Sequence, residues 1–238
     1  MSRKTRLNRH STDPCPSGEQ CALVVFAKQP RPGAVKTRLC PPLTALEAAE
    51  LYRCLLLDTL DLARRIDGAT ASICYQDDPG AAGYFATTAP RLPARPQQGA
   101  DLGERMLNAF REAFAAGNRR VIIIGSDAPD LPAEYVKKAF AVLASGSDVV
   151  LGPAEDGGYY LIGLTRICEE LFCGIAWSSP AVLEQSLARA AGAQRDVALL
   201  PLWHDIDTPA DLERPELRRA GTPAVRTAAF LARLEAAS

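Results

Sequence analysis

Residues 119–132 read RRVIIIGSDAPDLP. Val121, Ile122, Ile123 and Ile124 are apolar at odd and even positions alike, so a strand here must be covered on both faces. Strands of that kind lie in the middle of parallel sheets. The apolar run stops at Gly125 and Ser126, Asp127 follows, and Asp130 comes three residues later. A central strand that ends in a carboxylate organises the reading of the segments on either side.

Strand and helix patterns alternate along the chain. CALVVFA (residues 21–27) reads as a buried strand and TASICYQ (residues 70–76) as a second, ending in a turn at Asp77, Asp78, Pro79 and Gly80. Between them, residues 44–66 form a long amphipathic helix, with Thr44 and Glu47 spaced as a capping box. A proline-rich loop is expected over residues 90–98. Asp101 and Glu104 open a helix over residues 102–116, and another spans residues 133–144. SDVVLGP (147–153) and GYYLIGL (158–164) are further strands. Helices open at Ser179–Pro180, at Thr208–Pro209 and at Thr222–Pro223. This alternation predicts an α/β protein: three layers, α/β/α, around a mostly parallel central sheet. Ligands in such folds sit beyond the carboxyl ends of the strands. Residues 21–238 read as one domain, and residues 1–20, polar and without an apolar core, as a flexible tail and not a signal peptide.

Composition narrows the function classes. The chain has 238 residues, 47% hydrophobic and 23% charged, with net charge −1. That balance argues against a nucleic-acid or membrane partner. No apolar run approaches the ~20 residues that span a bilayer. The seven cysteines are odd in number and form no C-x-x-C pair, which points to reduced thiols and a cytoplasmic setting. Two histidines are too few for a histidine metal site or a Ser-His-Asp triad.

Positive charge concentrates right after the first strand. VVFAKQPRPGAVKTRL (residues 24–39) carries Lys28, Arg31, Lys36 and Arg38, with no acidic residue between Cys21 and Leu46. Pro30, Pro32 and Gly33 restrict the loop in advance, which lowers the ordering cost of binding. Phosphate suits such a loop, because arginine offers a planar fork and lysine a point charge. The loop is neither G-x-x-x-x-G-K-[ST] nor G-x-G-x-x-G.

Carboxylates cluster in four places. Asp127 can hold Mg²⁺ or Mn²⁺, ions that take one or two carboxylates besides phosphate oxygens. Asp130 reads as the cap of the next helix. In HDIDTPADL (residues 204–212), alternation puts Asp205 and Asp207 on one side of an extended segment, where two like charges favour a cation. His204 reads as a packing residue. GPAEDGGYYLIG (residues 152–163) is either a plain hairpin turn or an acceptor-binding turn in which Asp156 serves as base for a hydroxyl acceptor. In QGADLGERM (residues 98–106) the helix start accounts for Asp101 and Glu104, and Arg105 either points back at phosphate or does not.

Together FAKQPRPGAVKTRL, GADLGERM, IIIGSDAPDLP, LGPAEDGGYYLIGL and DIDTPADL resemble the bacterial glycosyltransferases described as nucleotide-diphospho-sugar transferase-like, over residues 21–212. Wider relatives are the guanylyltransferases for phospholactate and molybdenum cofactor and the cytidylyltransferase for an eight-carbon sugar acid. The resemblance implies a GT-A-like fold that binds nucleotide in its N-terminal half. It implies a triphosphate-wrapping loop at Lys28, Lys36 and Arg38, and a metal held by Asp127 and Asp207. Two features depart from those relatives: a proline-containing loop replaces the GGxSxRMG form, and the spacing at Asp127 is D-x-x-D and not D-x-D.

The resulting expectation is a metal-dependent transferase using a nucleoside triphosphate or a nucleotide sugar and a small-molecule acceptor. Lys36, Asp127 and Asp156 would be catalytic; Lys28, Arg31, Lys36, Arg38 and Arg105 would bind phosphate; Asp127, Asp207 and Asp205 would hold the metal. Nucleotidyl transfer is favoured over glycosyl transfer, with a non-catalytic nucleotide-binding module as the third reading. The last helix, residues 224–235, is expected to cover the sheet or to pair two copies as a homodimer.

Overall fold

The computed structural model describes residues 20–237. Apart from Gln20, the tail expected for residues 1–20 lies outside them. Seven strands form one sheet: β1 Cys21–Ala27, β2 Ala69–Tyr75, β3 Ala94–Pro96, β4 Arg120–Ile124, β5 Val149–Pro153, β6 Tyr159–Leu164 and β7 Val197–Leu199. Their spatial order is β3-β2-β1-β4-β6-β5-β7. Strand β4, apolar from Val121 to Ile124, is central, as expected, and parallel to β1. On its other side it pairs with β6, which is antiparallel because the short turn after β5 sends the chain straight back. The sheet is therefore mixed but mostly parallel.

Six helices, α1 Ala45–Arg64, α2 Ala81–Thr88, α3 Leu102–Ala115, α4 Ala133–Ala144, α5 Val182–Gly192 and α6 Val225–Ala237, complete the three layers. Strand β4 shows why both faces need cover. Ile122 and Ile124 pack with Leu56 and Leu60 of α1 and Phe140 of α4, whereas Val121 and Ile123 pack with Met106 and Phe110 of α3. The capping box at the start of α1 forms: Thr44 Oγ1 accepts from Glu47 N at 3.2 Å, and Thr44 N donates to Glu47 Oε2 at 2.8 Å.

Three short elements escaped the sequence reading. The expected proline-rich loop holds β3, and α2 and β7 lie where no element is read from the sequence. Strands β3 and β7 are three-residue edge strands, too short for a period of two to register. Asp130 is also not a helix cap. Pro132 occupies the N-cap of α4 without a side-chain bond, and Asp130 is buried. Cys40, Cys54, Cys74, Cys168 and Cys173 carry free thiols, whereas Cys21 is disulfide-bonded, contrary to the expectation of reduced thiols throughout. No helix of the described residues is long and apolar enough to cross a membrane.

Helix α6 covers α1, with Phe230 and Leu231 packed among Leu51 and Leu55. Asp58 of α1, only 1% exposed, fastens this contact. It accepts from Arg226 N at 3.1 Å, Thr227 N at 2.9 Å and Thr227 Oγ1 at 2.9 Å. Asp58→Ala should therefore strip the first turn of α6 of its acceptors and cost about 2–4 kcal/mol of stability. Urea unfolding is the check; a midpoint equal to that of the unaltered protein would remove Asp58 from this role.

Candidate functional site

The carboxyl ends of β1, β4 and β5 share one rim, since β5 and β4 both run antiparallel to β6. The loop after β1 is drawn onto this rim by its apolar residues. Val35 and Leu39 are buried against α1 and leave Lys36 between them. Lys36 adopts the left-handed conformation, φ 49° and ψ 36°, ahead of a single 3-10 turn at Thr37–Leu39. A lysine rarely takes that conformation unless its surroundings impose it.

The Lys36 side chain is held by two carboxylates. Lys36 Nζ lies 2.5 Å from Asp127 Oδ1 and 2.8 Å from Asp207 Oδ1, and its side chain is 5% exposed. Burial alone would favour the neutral amine, but the fields of Asp127 and then Asp207 outweigh it, and the pKa is raised. Arg38, largely exposed, stands 3.8 Å from Asp207 Oδ2.

The segment bearing Asp205 and Asp207 is held beside the Asp127 loop. Ile206 N donates to Asp127 O at 2.9 Å, and the Ile206 side chain is buried among α1 and α6 residues. The residues on either side of it therefore share the other face, which is the alternation read from the sequence. Asp205 and Asp207 are both part-buried. The Asp205 carboxyl is pushed up to about 7, by burial first and then by Asp127, with Lys36 opposing. A carboxyl group titrating there can exchange a proton at neutral pH. The field of Asp156 also reaches Asp205.

Asp156 sits in the β5–β6 turn, where its Oδ1 accepts from Gly158 N at 2.9 Å. Gly157 has φ +88°, and a Cβ there would run into the Pro180 carbonyl, so only glycine fits. The turn is pinned to the segment after Asp207 by Arg214, 2.5 Å from Glu155 Oε2 and 3.1 Å from Asp211 Oδ1. Asp211 in turn accepts from Thr208 N at 2.7 Å.

The structure thus brings Lys36, Asp127, Asp205 and Asp207 together, with Arg38 at the margin and Asp156 within electrostatic reach. The other predicted cations do not join the clasp. Arg31 faces Asp78, after β2, at 3.6 Å. Arg105 Nε donates to Gly99 O at 3.2 Å at the start of α3. Lys28 is exposed, and its backbone N–H donates to Tyr52 Oη at 2.9 Å. The loop has no acid of its own, yet three of its four cations meet acids from other segments.

Tyr52 and Ser126 are positioning residues that the sequence did not reveal. The buried Tyr52 hydroxyl bonds both Lys28 N and Ser126 Oγ, the latter at 2.8 Å, and so ties the β1 loop to the residue before Asp127. Tyr52 is one more apolar position on α1, with no local signal to mark it. No group of three or more histidine, cysteine, aspartate or glutamate side chains among the described residues has metal-site geometry.

The fold has solved counterparts. A protein from Desulfovibrio desulfuricans G20, assigned as a nucleotide-diphospho-sugar transferase, is 38% identical, with a TM-score of 0.82 over 91% of this chain and 95% of that one. Fold and relative together make this chain a transferase of the nucleotide-diphospho-sugar transferase-like class. More particularly, it belongs to the family described as an uncharacterized protein conserved in bacteria (DUF2064), whose model matches residues 59–179. The same fold recurs in CMP:2-keto-3-deoxy-manno-octonic acid synthetase complexed with CTP, at 14% identity and TM-score 0.55, covering 91% of this chain and 100% of that one. It recurs in a cytidylyltransferase from Leptospira borgpetersenii, at 10% identity and TM-score 0.52, covering 92% and 96%. No curated protein matches the chain.

Proposed function

We propose that the chain is a divalent-metal-dependent nucleotidyltransferase. A nucleoside triphosphate binds at the rim, an acceptor oxygen attacks the α-phosphorus, and the bond to the β-phosphate breaks to release pyrophosphate. One observation carries this reading: Lys36 is buried between Asp127 and Asp207 at the carboxyl rim of the sheet. That clasp is the only part of the loop where a cation and two carboxylates face one space.

Asp127 and Asp207 fit Mg²⁺ or Mn²⁺, because their hard oxygens already share one cation in Lys36. When bound, such an ion neutralises charge on phosphate oxygens. Lys36, freed from one carboxylate, would turn to the phosphates, joined by Arg38 and by Lys28 from the exposed part of the loop. Fixed positive groups aimed where charge accumulates supply the largest share of catalysis in phosphoryl chemistry. An anionic acceptor needs no base. For a hydroxyl acceptor, Asp156 and the near-neutral Asp205 are the two candidates. The CTP-complexed synthetase on the same fold supports the triphosphate as substrate.

Glycosyl transfer from a nucleotide sugar is the second reading, favoured by the assignment of the Desulfovibrio protein. Incubation with each nucleoside triphosphate and each sugar nucleotide, followed by mass spectrometry, separates the two. Pyrophosphate release is expected. Nucleoside diphosphate released from sugar nucleotides, with no pyrophosphate from any triphosphate, would replace the first reading by the second.

A further inference from the structure

Asp130 is 2% exposed and three residues beyond Asp127, yet it takes no part in the clasp and caps no helix. Its Oδ2 lies 3.2 Å from His204 Nε2, and its Oδ1 accepts from Trp203 Nε1 at 3.3 Å. A carboxylate offers only acceptors, so His204 carries its proton on Nε2 in this contact. The two rings stack, with centroids 4.9 Å apart at 20°, and Trp203 meets Tyr135 of α4 edge-on at 5.4 Å. The backbone is held as well. Trp203 N donates to Pro153 O at 3.0 Å, Trp203 O accepts from Glu155 N at 3.1 Å, and Tyr160 Oη donates to Pro201 O at 3.0 Å.

Burying a carboxylate among aromatic rings is costly, and apolar residues of equal volume would stabilise the fold as well or better. What a polar network adds is register. Trp203 and His204 turn to one carboxylate, whereas residues 205–207 alternate, with Ile206 buried between the part-buried Asp205 and Asp207, so a slip of one residue against the Asp127 loop would exchange their faces. Ile206 would then reach the rim and the aspartates would enter the core. Apolar contacts alone resist such a slip weakly. Two ring N–H groups converging on one buried carboxylate resist it strongly, because a slip strands all three.

We propose that Asp130 is a positioning residue that acts through Trp203 and His204 to hold residues 203–207 in register with the Asp127 loop, so that Asp205 and Asp207 face the rim. The proposal rests on the reading of Asp127, Asp205 and Asp207 as the working carboxylates. Its geometric part, the register, can be tested without any ligand.

Hydrogen exchange at the Ile206 amide, which donates to Asp127 O, reads the register directly. Asp130→Ala should lower its protection about tenfold or more relative to the β4 amides. Asp130→Asn should stay within about threefold of the unaltered protein, because the amide oxygen still accepts from Trp203 and its N–H can donate to the other histidine tautomer. Phe110→Leu, a core change on the opposite face of the sheet, should lower all amides together and spare Ile206 no more than β4. Undiminished Ile206 protection in Asp130→Ala, or an equally selective loss in Phe110→Leu, overturns the proposal. Should Asp130→Ala fail to fold, His204→Ala reads the same exchange with the Trp203 bond kept. A second arm titrates CTP with Mn²⁺: Asp130→Ala should bind more weakly and Asp130→Asn nearly as the unaltered protein. If the unaltered protein binds neither CTP nor any other triphosphate, the functional reading fails while the exchange result still decides the register.

Discussion

Lys36→Met and Asp127→Asn should each lower turnover of the accepted nucleotide by about 10²–10³-fold, the loss typical of removing one group aimed at developing charge. The two variants should differ in everything else. Asp127→Asn leaves Lys36 one carboxylate, Asp207, so the loop keeps its place and the protein its stability. Its defect should appear in turnover and in dependence on Mg²⁺. Lys36→Met leaves the half-exposed Asp127 and Asp207 facing each other with no ammonium between them. Their repulsion should lower the thermal midpoint at neutral pH, and the deficit should shrink in acid as the carboxylates take up protons. Added divalent ion should restore part of the midpoint in Lys36→Met by entering the place of the ammonium. Steady-state kinetics and thermal scans with and without Mg²⁺ are the measurements. Full turnover in Asp127→Asn would take that residue out of the site, and a pH-independent deficit in Lys36→Met would contradict the clasp.

Asp205 makes the second large effect, a stability that falls as pH rises toward neutrality. Its carboxyl is pushed from the ordinary 3.8 up to about 7 in the folded protein. Between those values the folded chain holds a proton that the unfolded chain has released. The folded state binds more protons, so its stability declines with rising pH across that window and levels off above about 7. Asp205→Asn cannot ionise and should remove the decline. The variant should be the more stable of the two at about pH 8 and close to the unaltered protein at about pH 4. Thermal midpoints across this range decide it; parallel curves for the two proteins would show that Asp205 ionises as an exposed aspartate does. Saturating Mg²⁺ with nucleotide should flatten the curve of the unaltered protein, because a nearby cation offsets the repulsion from Asp127 and Asp207.

How far the site could be read from the sequence differs residue by residue. Asp205 and Asp207 were placed on one face because a strand's period of two is a property of neighbouring residues. The burial of Ile206 between them shows the rule at work. Asp130 was read as a helix cap because it stands just before a helix, a sound local rule that lost to a partner 74 residues away, His204. Tyr52 gave no signal, since a buried tyrosine on an apolar helix face looks the same whether or not its hydroxyl joins two loops. Arg31 and Arg105 looked like free phosphate ligands for the same reason: Asp78 and the Gly99 carbonyl meet them only after the chain has folded.

What could be known from residue order alone was whatever neighbours along the chain control. That includes the doubly covered central strand, the capping box on Thr44, the helix and strand alternation that makes an α/β/α sandwich, and the rim on which the unusual charges lie. The clasp itself belongs to the folded chain. Lys36 and Asp207 are 171 residues apart, and their 2.8 Å contact exists because β1 and β4 end side by side and Ile206 anchors the last segment against the Asp127 loop. Periodicity and capping act over a few residues. An ion pair across most of the chain depends on the path between its members, and only packing sets that path.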